Sequence, residues 1–145
     1  MLSVIQRVGR TSLSVDGKLI SEIPFGLAVY LGVKVGDTEE QARATAKKVA
    51  QLRIFEDENG KMNKSVKEVN GEILLISQFT LLGDCSHGNR PSFIEAERPE
   101  KAKPLYERTA ELLREHGVTV KCGVFGADMK IEQYNDGPVT VIYEI

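Results

Sequence analysis

Residues 72–76, Glu-Ile-Leu-Leu-Ile, form a short and nearly continuous apolar run. Such a run suits a strand covered on both faces, so the fold must supply a layer above it and another below. At Ser77 the chain turns polar, and Gln78, Phe79 and Thr80 follow at once. Gly83, Asp84, Ser86, Gly88, Asn89 and Pro91 then make a loop of residue types that tolerate unusual backbone angles. A rigid strand ending in hydroxyls and a Gly-rich loop can hold a small ligand against backbone N–H groups. The same residues also describe a core strand with satisfied hydroxyls that runs into a surface loop.

The rest of the chain reads as hairpins interrupted by two helices. Residues 2–8 alternate loosely, with Leu2, Val4 and Val8 on one side and Ser3, Ile5 and Arg7 on the other. Residues 11–15 and 18–23 flank Asp16-Gly17, a two-residue connection suited to φ > 0. Residues 27–33 are apolar enough for a central strand. Asp37 with Glu40 reads as a capping box, and Ala42, Ala46, Val49, Ala50 and Arg53 follow at helical spacing. Those residues are mostly small, so this face should pack close to a sheet. Asn59-Gly60 and Asn70-Gly71 signal two more hairpins, the second feeding a strand over residues 72–81.

Beyond the loop, Ser92 and Glu95 can cap a short turn. Pro99 can open a helix whose stripe is Ala102, Leu105, Tyr106, Thr109, Leu112 and Leu113, with Gly117 as its C′ residue. Pro104 lacks an N–H, so the helix either kinks there or becomes regular near Lys103. Strands follow at residues 118–122, 131–134 and 139–145, the last two joined by Asn135-Asp136-Gly137-Pro138; residues 123–129 form a loop carrying a Phe and a Met. The fold class is α+β: an antiparallel, curved, barrel-like sheet with two main helices on one face. Several strands end the chain without a covering helix, so an edge or face is expected to be shared with a second copy.

At 145 residues the chain fits one domain, with 41% hydrophobic and 28% charged residues. A formal net charge of -2 means that any nucleic-acid contact must use a local basic patch or grip one end of the molecule. No long apolar h-region opens the chain and no stretch is apolar enough for a membrane span, so a cytosolic protein is expected. Cys85 and Cys122 form no C-x-x-C, which argues against a disulfide framework or structural zinc. There is no P-loop and no G-x-G-x-x-G after a strand, so no nucleotide cofactor is expected.

Few residues offer chemistry. Cys85 and His87 lie close in the loop, but positions i and i+2 need not face each other and no third orienting group is evident. The chain has two histidines, too few for a convincing metal site, and His116 sits at a helix end where it meets the helix dipole. Asp57 and Glu58 read as solvated turn residues. Ser77 and Thr80 remain. Without an adjacent base Thr80 is a weak nucleophile, and its better use is to help hold a carbonyl oxygen as negative charge grows on it. That suffices only for an already activated bond such as an ester. Gly137-Pro138 is the other unusual feature: in the cis form it would project two backbone carbonyls rigidly, able to accept from an amino group and to reject a side chain of the wrong hand.

Ser77-Gln78-Phe79-Thr80-Leu81 and Asn135-Asp136-Gly137-Pro138-Val139-Thr140 resemble the two signature motifs of the D-aminoacyl-tRNA deacylases, called D-Tyr-tRNA(Tyr) deacylases in older usage. Residues 88–93, Leu105-Tyr106 and residues 123–129 fit too, so the likeness covers essentially the whole chain. The resemblance implies a homodimer with its active site at the subunit interface, where residues 77–80 of one subunit face a cis Gly137-Pro138 of the other. It implies the aminoacylated 3′ end of tRNA as substrate, with an L side chain excluded and glycine accepted. Gln78, Phe79 and Thr80 would be the catalytic residues lining the site, with Thr80 also a candidate nucleophile. Ser77, Gly137, Pro138, Ala102 and Met129 would bind the substrate, with Ala102 and Met129 helping to shape the pocket. It further implies help from the tRNA's own terminal 2′-hydroxyl, with no metal and no cofactor. Leu82 departs from the pattern, where the family often has Tyr. Lys47, Lys48, Arg53 and Lys64 are the basic residues suggested for tRNA. Two rivals stand beside this reading: a silent RNA- or nucleotide-binding domain, and a cysteine hydrolase built on Cys85 and His87.

Overall fold

The two-sided burial that residues 72–76 demand is met by a mixed sheet curled around itself, described here from a computed structural model covering residues 1–145. The strands are β1 (Leu2–Val15), β2 (Lys18–Ile23), β3 (Gly26–Gly32), β4 (Arg53–Glu56), β5 (Met62–Ser65), β6 (Glu72–Ser77), β7 (Thr119–Cys122) and β8 (Lys130–Glu144). The helices are α1 (Glu39–Gln51) and α2 (Pro99–Glu115). The main sheet runs β2-β1-β3-β6-β7, with β8 pairing β1, while β4 and β5 form a separate hairpin. No helix is long and apolar enough to cross a membrane.

The antiparallel expectation holds only for the outer ladders. β1 pairs antiparallel with β2, β3 and β8, but β6 lies parallel to both β3 and β7. Parallel neighbours need long crossovers. Here α1 with the β4–β5 hairpin joins β3 to β6, and α2 joins β6 to β7. Asn70-Gly71 is accordingly no hairpin turn. Asn70, at φ 56°, ends a turn closed by the Gly71 N–H to the Val66 carbonyl, which delivers the chain to β6. The strand stops at Ser77 instead of reaching residue 81, and residues Phe79–Leu82 wind into a single 3₁₀ turn.

Alternation along the central strands explains their continuous apolarity. Leu27, Val29, Leu31, Ile73 and Leu75 point to the core beneath α1 and α2, while Ala28, Leu74 and Ile76 join Val8, Leu13 and Ile23 inside the curl. The small stripe of α1 (Ala42, Thr45, Ala46, Val49, Ala50) is buried as expected. Its capping box sits one residue later than the sequence suggests: Thr38 accepts from the Glu40 N–H and Gln41 accepts from the Thr38 N–H. Asp37 instead accepts from the Lys34 N–H and the Met1 ammonium. Arg53 has left the helix and opens β4.

α2 already begins at Pro99 and carries Pro104 within it, rather than starting near Lys103. Pro104 and Glu100 are exposed, so water can take the carbonyl that the missing N–H leaves free. Gly117, at φ 82°, follows the cap as expected. Ser92 caps no helical turn and bridges Asp84 across the loop. Residues 131–134 and 139–144 belong to one long strand, β8. Its register against β1 shifts around Asn135, and the Gly137-Pro138 bond within it is cis.

Candidate active site

β3 and β6 run parallel, and a cavity of about 600 Å³ opens where their C-terminal ends meet the first turn of α2. Ligand sites commonly lie at the carboxyl ends of parallel strands, where the connecting segments diverge. Leu31 and Ile76 form its floor from the strands, with Val33 just beyond β3, and Ala102 and Tyr106 its wall from α2. Phe125 and Met129 close it from the loop before β8.

The polar side is made where β6 gives way to the 3₁₀ turn. The Gln78 N–H still donates to the Leu31 carbonyl at 2.8 Å, and the chain then bends so that Ser77, Gln78, Phe79 and Thr80 all face the cavity. Gln78 Nε2 donates to Thr80 Oγ1 at 2.6 Å. That bond occupies a lone pair on Thr80 and leaves its hydroxyl proton free to donate outward. The turn also leaves the Phe79 and Thr80 N–H groups without an intrahelical acceptor, as any helical start does. The site thus offers several donors and no base in contact with Thr80.

Apolar surfaces frame these donors. Phe79 and Phe93 meet edge to face, with centroids 5.2 Å apart and an interplanar angle of 70°. Tyr106 packs 5.8 Å from Phe125 and donates its hydroxyl to the Leu75 carbonyl at 2.8 Å. Burial, followed by the nearby Cys122, pushes the Tyr106 phenol well above its ordinary range, so it stays a neutral strut. Met129 is held in place because Gly123 beside it lacks a side chain: a Cβ there would come within 2.6 Å of the Met129 sulfur.

Three charged side chains line the cavity: Glu97, Arg98 and Asp128. Glu97 accepts from the backbone N–H groups of Arg98 (2.9 Å) and Gly36 (3.4 Å), and the Arg98 N–H foremost holds its carboxyl below the usual range. Asp128 pairs with Lys130 at 3.0 Å. None of the three bonds to Thr80.

Residues 4–144 match the family model described as D-Tyr-tRNA(Tyr) deacylase. The chain belongs to that family. A D-aminoacyl-tRNA deacylase of Persephonella marina is 56% identical over 144 residues, covering 99% of this chain and 97% of the relative. One from Carboxydothermus hydrogenoformans is 52% identical over 145 residues, covering 100% of both. Among solved structures, the c-Myc DNA Unwinding Element Binding Protein superposes with a TM-score of 0.93 at 42% identity, covering 100% of this chain and 99% of that one. A probable eukaryotic D-amino acid tRNA deacylase shares the fold, with a TM-score of 0.86 at 19% identity, covering 99% of this chain and 98% of that one.

In this deacylase-family chain, six of the eight residues expected at the site gather in one cavity: Ser77, Gln78, Phe79, Thr80, Ala102 and Met129. Gly137 and Pro138 do not join them; they lie exposed on β8, where Arg7 Nε donates to the Asp136 carbonyl at 3.2 Å. Cys85 and His87 are both exposed and outside the cavity, and His87 Nδ1 pairs with Ser86 Oγ, so nothing joins the two into a dyad. Phe93, Arg98 and Tyr106 line the cavity without having been singled out for it. Phe93 and Tyr106 fall in stretches that resemble the family, residues 88–93 and Leu105-Tyr106, whereas the signal at Arg98 is only its place before Pro99, the start of the helix that walls the site.

The suggested basic patch is largely engaged. Arg53 bonds Asn63, Lys64 pairs with Glu58, and Lys48 sits 5.6 Å over the Tyr143 ring.

Proposed function

We propose that this chain is an editing hydrolase that frees D-amino acids from tRNA, rejects L-aminoacyl-tRNA and also removes glycine mischarged on tRNA(Ala). Family membership carries hydrolysis of the aminoacyl-tRNA ester. The observation that supports the finer reading is the Gln78–Thr80 pair: a hydroxyl held by an amide, which can donate but has no partner to take its proton. Water adds to the ester carbonyl carbon, the bond to the ribose 3′ oxygen breaks, and the ribose regains its hydroxyl as the amino acid leaves as a carboxylate. The Thr80 hydroxyl and the neighbouring backbone N–H groups stabilise the oxygen on which charge builds. With no protein base at hand, the terminal 2′-hydroxyl of the tRNA supplies the missing assistance.

Chirality is policed by main chain. The Gly137-Pro138 segment of a second copy would cap the cavity, receive the amino group and leave no room for an L side chain. This arrangement accounts for an exposed segment of β8 lying outside its own chain's cavity.

The test is release of tyrosine from matched D- and L-tyrosyl-tRNA. D-Tyrosine should be freed at least about a hundredfold faster, a discrimination of steric origin. Equal rates would end the reading, and no release from either would favour a silent RNA-binding domain. A tRNA ending in 2′-deoxyadenosine, charged on its 3′-hydroxyl, should be cleaved far more slowly.

A further inference from the structure

Of the three charged side chains lining the cavity, Glu97 is occupied by backbone N–H groups and Asp128 by Lys130. Arg98 alone has no partner. Its backbone N–H donates to Glu97, but its guanidinium makes no hydrogen bond and no ion pair. Most other arginines of the chain are committed: Arg7 to Asp136, Arg10 to Glu22, Arg43 and Arg108 to Glu39, Arg53 to Asn63, Arg114 to the Val120 carbonyl. A free guanidinium at the edge of a cavity is a fork of donors suited to two oxygens of one anion.

Resting on the deacylase reading, we propose that Arg98 binds a backbone phosphate of the RNA strand whose last nucleotide carries the ester. The ester end of that substrate has no negative charge of its own before reaction, so the anion nearest the cavity is a phosphodiester. Arg98 sits immediately before α2, on the same wall as Ala102, while Thr80 lies on the strand side. Arg98 is exposed, which puts it on the solvent side of the cavity, where an entering RNA strand would pass. Glu95 and Glu100 are exposed close by in sequence. With Glu97 they outnumber Arg98 and Lys101, so this edge has no surplus of positive charge and Arg98 grips one phosphate without drawing in a whole duplex. That fits a protein with a net charge of -2.

The discriminating pair of substrates is D-tyrosyl-tRNA and D-tyrosyl-adenosine, which carries the same ester and no phosphate. For Arg98→Gln, kcat/KM on the tRNA should fall about tenfold at low salt, through KM. On D-tyrosyl-adenosine the loss should be clearly smaller, about twofold or less. The log–log salt dependence on tRNA should become shallower by about 0.7, the share of one single-strand phosphate contact. Arg98→Lys should recover part of the loss. Equal losses on both substrates would place Arg98 at the ester or the departing carboxylate and overturn the assignment; an unchanged tRNA rate would overturn it too. Wild-type protein inert on both substrates would instead bring down the deacylase reading, and this assignment with it.

Discussion

Thr80 shows what a single residue can and cannot do here. Its oxygen accepts from Gln78 Nε2 at 2.6 Å, and an amide cannot take a proton in return. If Thr80 acts as a donor, Thr80→Ala removes one hydrogen bond to charge that grows in the transition state. The expected loss in kcat/KM for D-tyrosyl-tRNA is about 10- to 100-fold. Loss of a true nucleophile costs on the order of 10⁴- to 10⁶-fold. Single-turnover deacylation by Thr80→Ala separates the two, and a fall of the larger size would make Thr80 the attacking group. The change from apolar to polar at Ser77 was legible in the sequence because the hydroxyls and amide arrive together at a strand end. Arg98 was not, since nothing local distinguishes a lining Arg from a surface one until α2 and the loop are folded against β6.

At the scale of elements, hairpins were read well where the turn alone decides and poorly where the connection does. Asp16-Gly17 closes a true hairpin, with φ of 49° and 75° and Val15 opposite Lys18. Asn70-Gly71 carries the same kind of signal, yet β6 pairs parallel to β3, because the crossover through α1 had already placed it there. A positive φ at Asn70 is needed in either case, so the dipeptide cannot distinguish them. The parallel pair has its own determinant at Gly26. Gly26 sits at φ 141°, and a Cβ on it would lie 1.9 Å from the Glu72 carbonyl oxygen. Both partners there are backbone, so the strands must separate to admit a methyl group. Gly26→Ala should therefore destabilise the fold by about 3 kcal/mol or more, combining backbone strain with a core contact that cannot relax. Urea unfolding measures it, and a loss below about 1 kcal/mol would mean that the β3–β6 ladder tolerates far more slack than its register implies.

For the whole molecule, the outstanding feature is a face left uncovered. On β8, Val139, Val141 and Tyr143 turn to the core, while Tyr134 and Ile142 stand 72% and 68% exposed on the outside. Ile142 lies opposite Val4 on β1, and Gln133 bonds Gln6 across the same ladder at 2.8 Å, so apolar and polar groups share one broad sheet surface. The sequence already hinted at this, since residues 118–145 read as strands and loops with no helix among them. The interior half of the fold was harder to foresee, because the curl of the sheet depends on register shifts between β1 and β8 that no local pattern announces. In the proposed arrangement a second copy would cover this face and, with its Gly137-Pro138 segment, cap the cavity at once. Ile142→Asp puts a charge on that face without touching the chain's own core, where its side chain takes no part. The variant should fold with a wild-type circular dichroism spectrum and sediment at about half the wild-type mass, since a buried unpaired carboxylate costs several kcal/mol at an interface. Its deacylation of D-tyrosyl-tRNA should fall in step with the dimer population and recover as protein concentration rises. A folded monomer that hydrolyses D-tyrosyl-tRNA at the wild-type rate, still sparing the L form, would show that one chain completes the site alone and that Gly137-Pro138 plays no part in judging handedness.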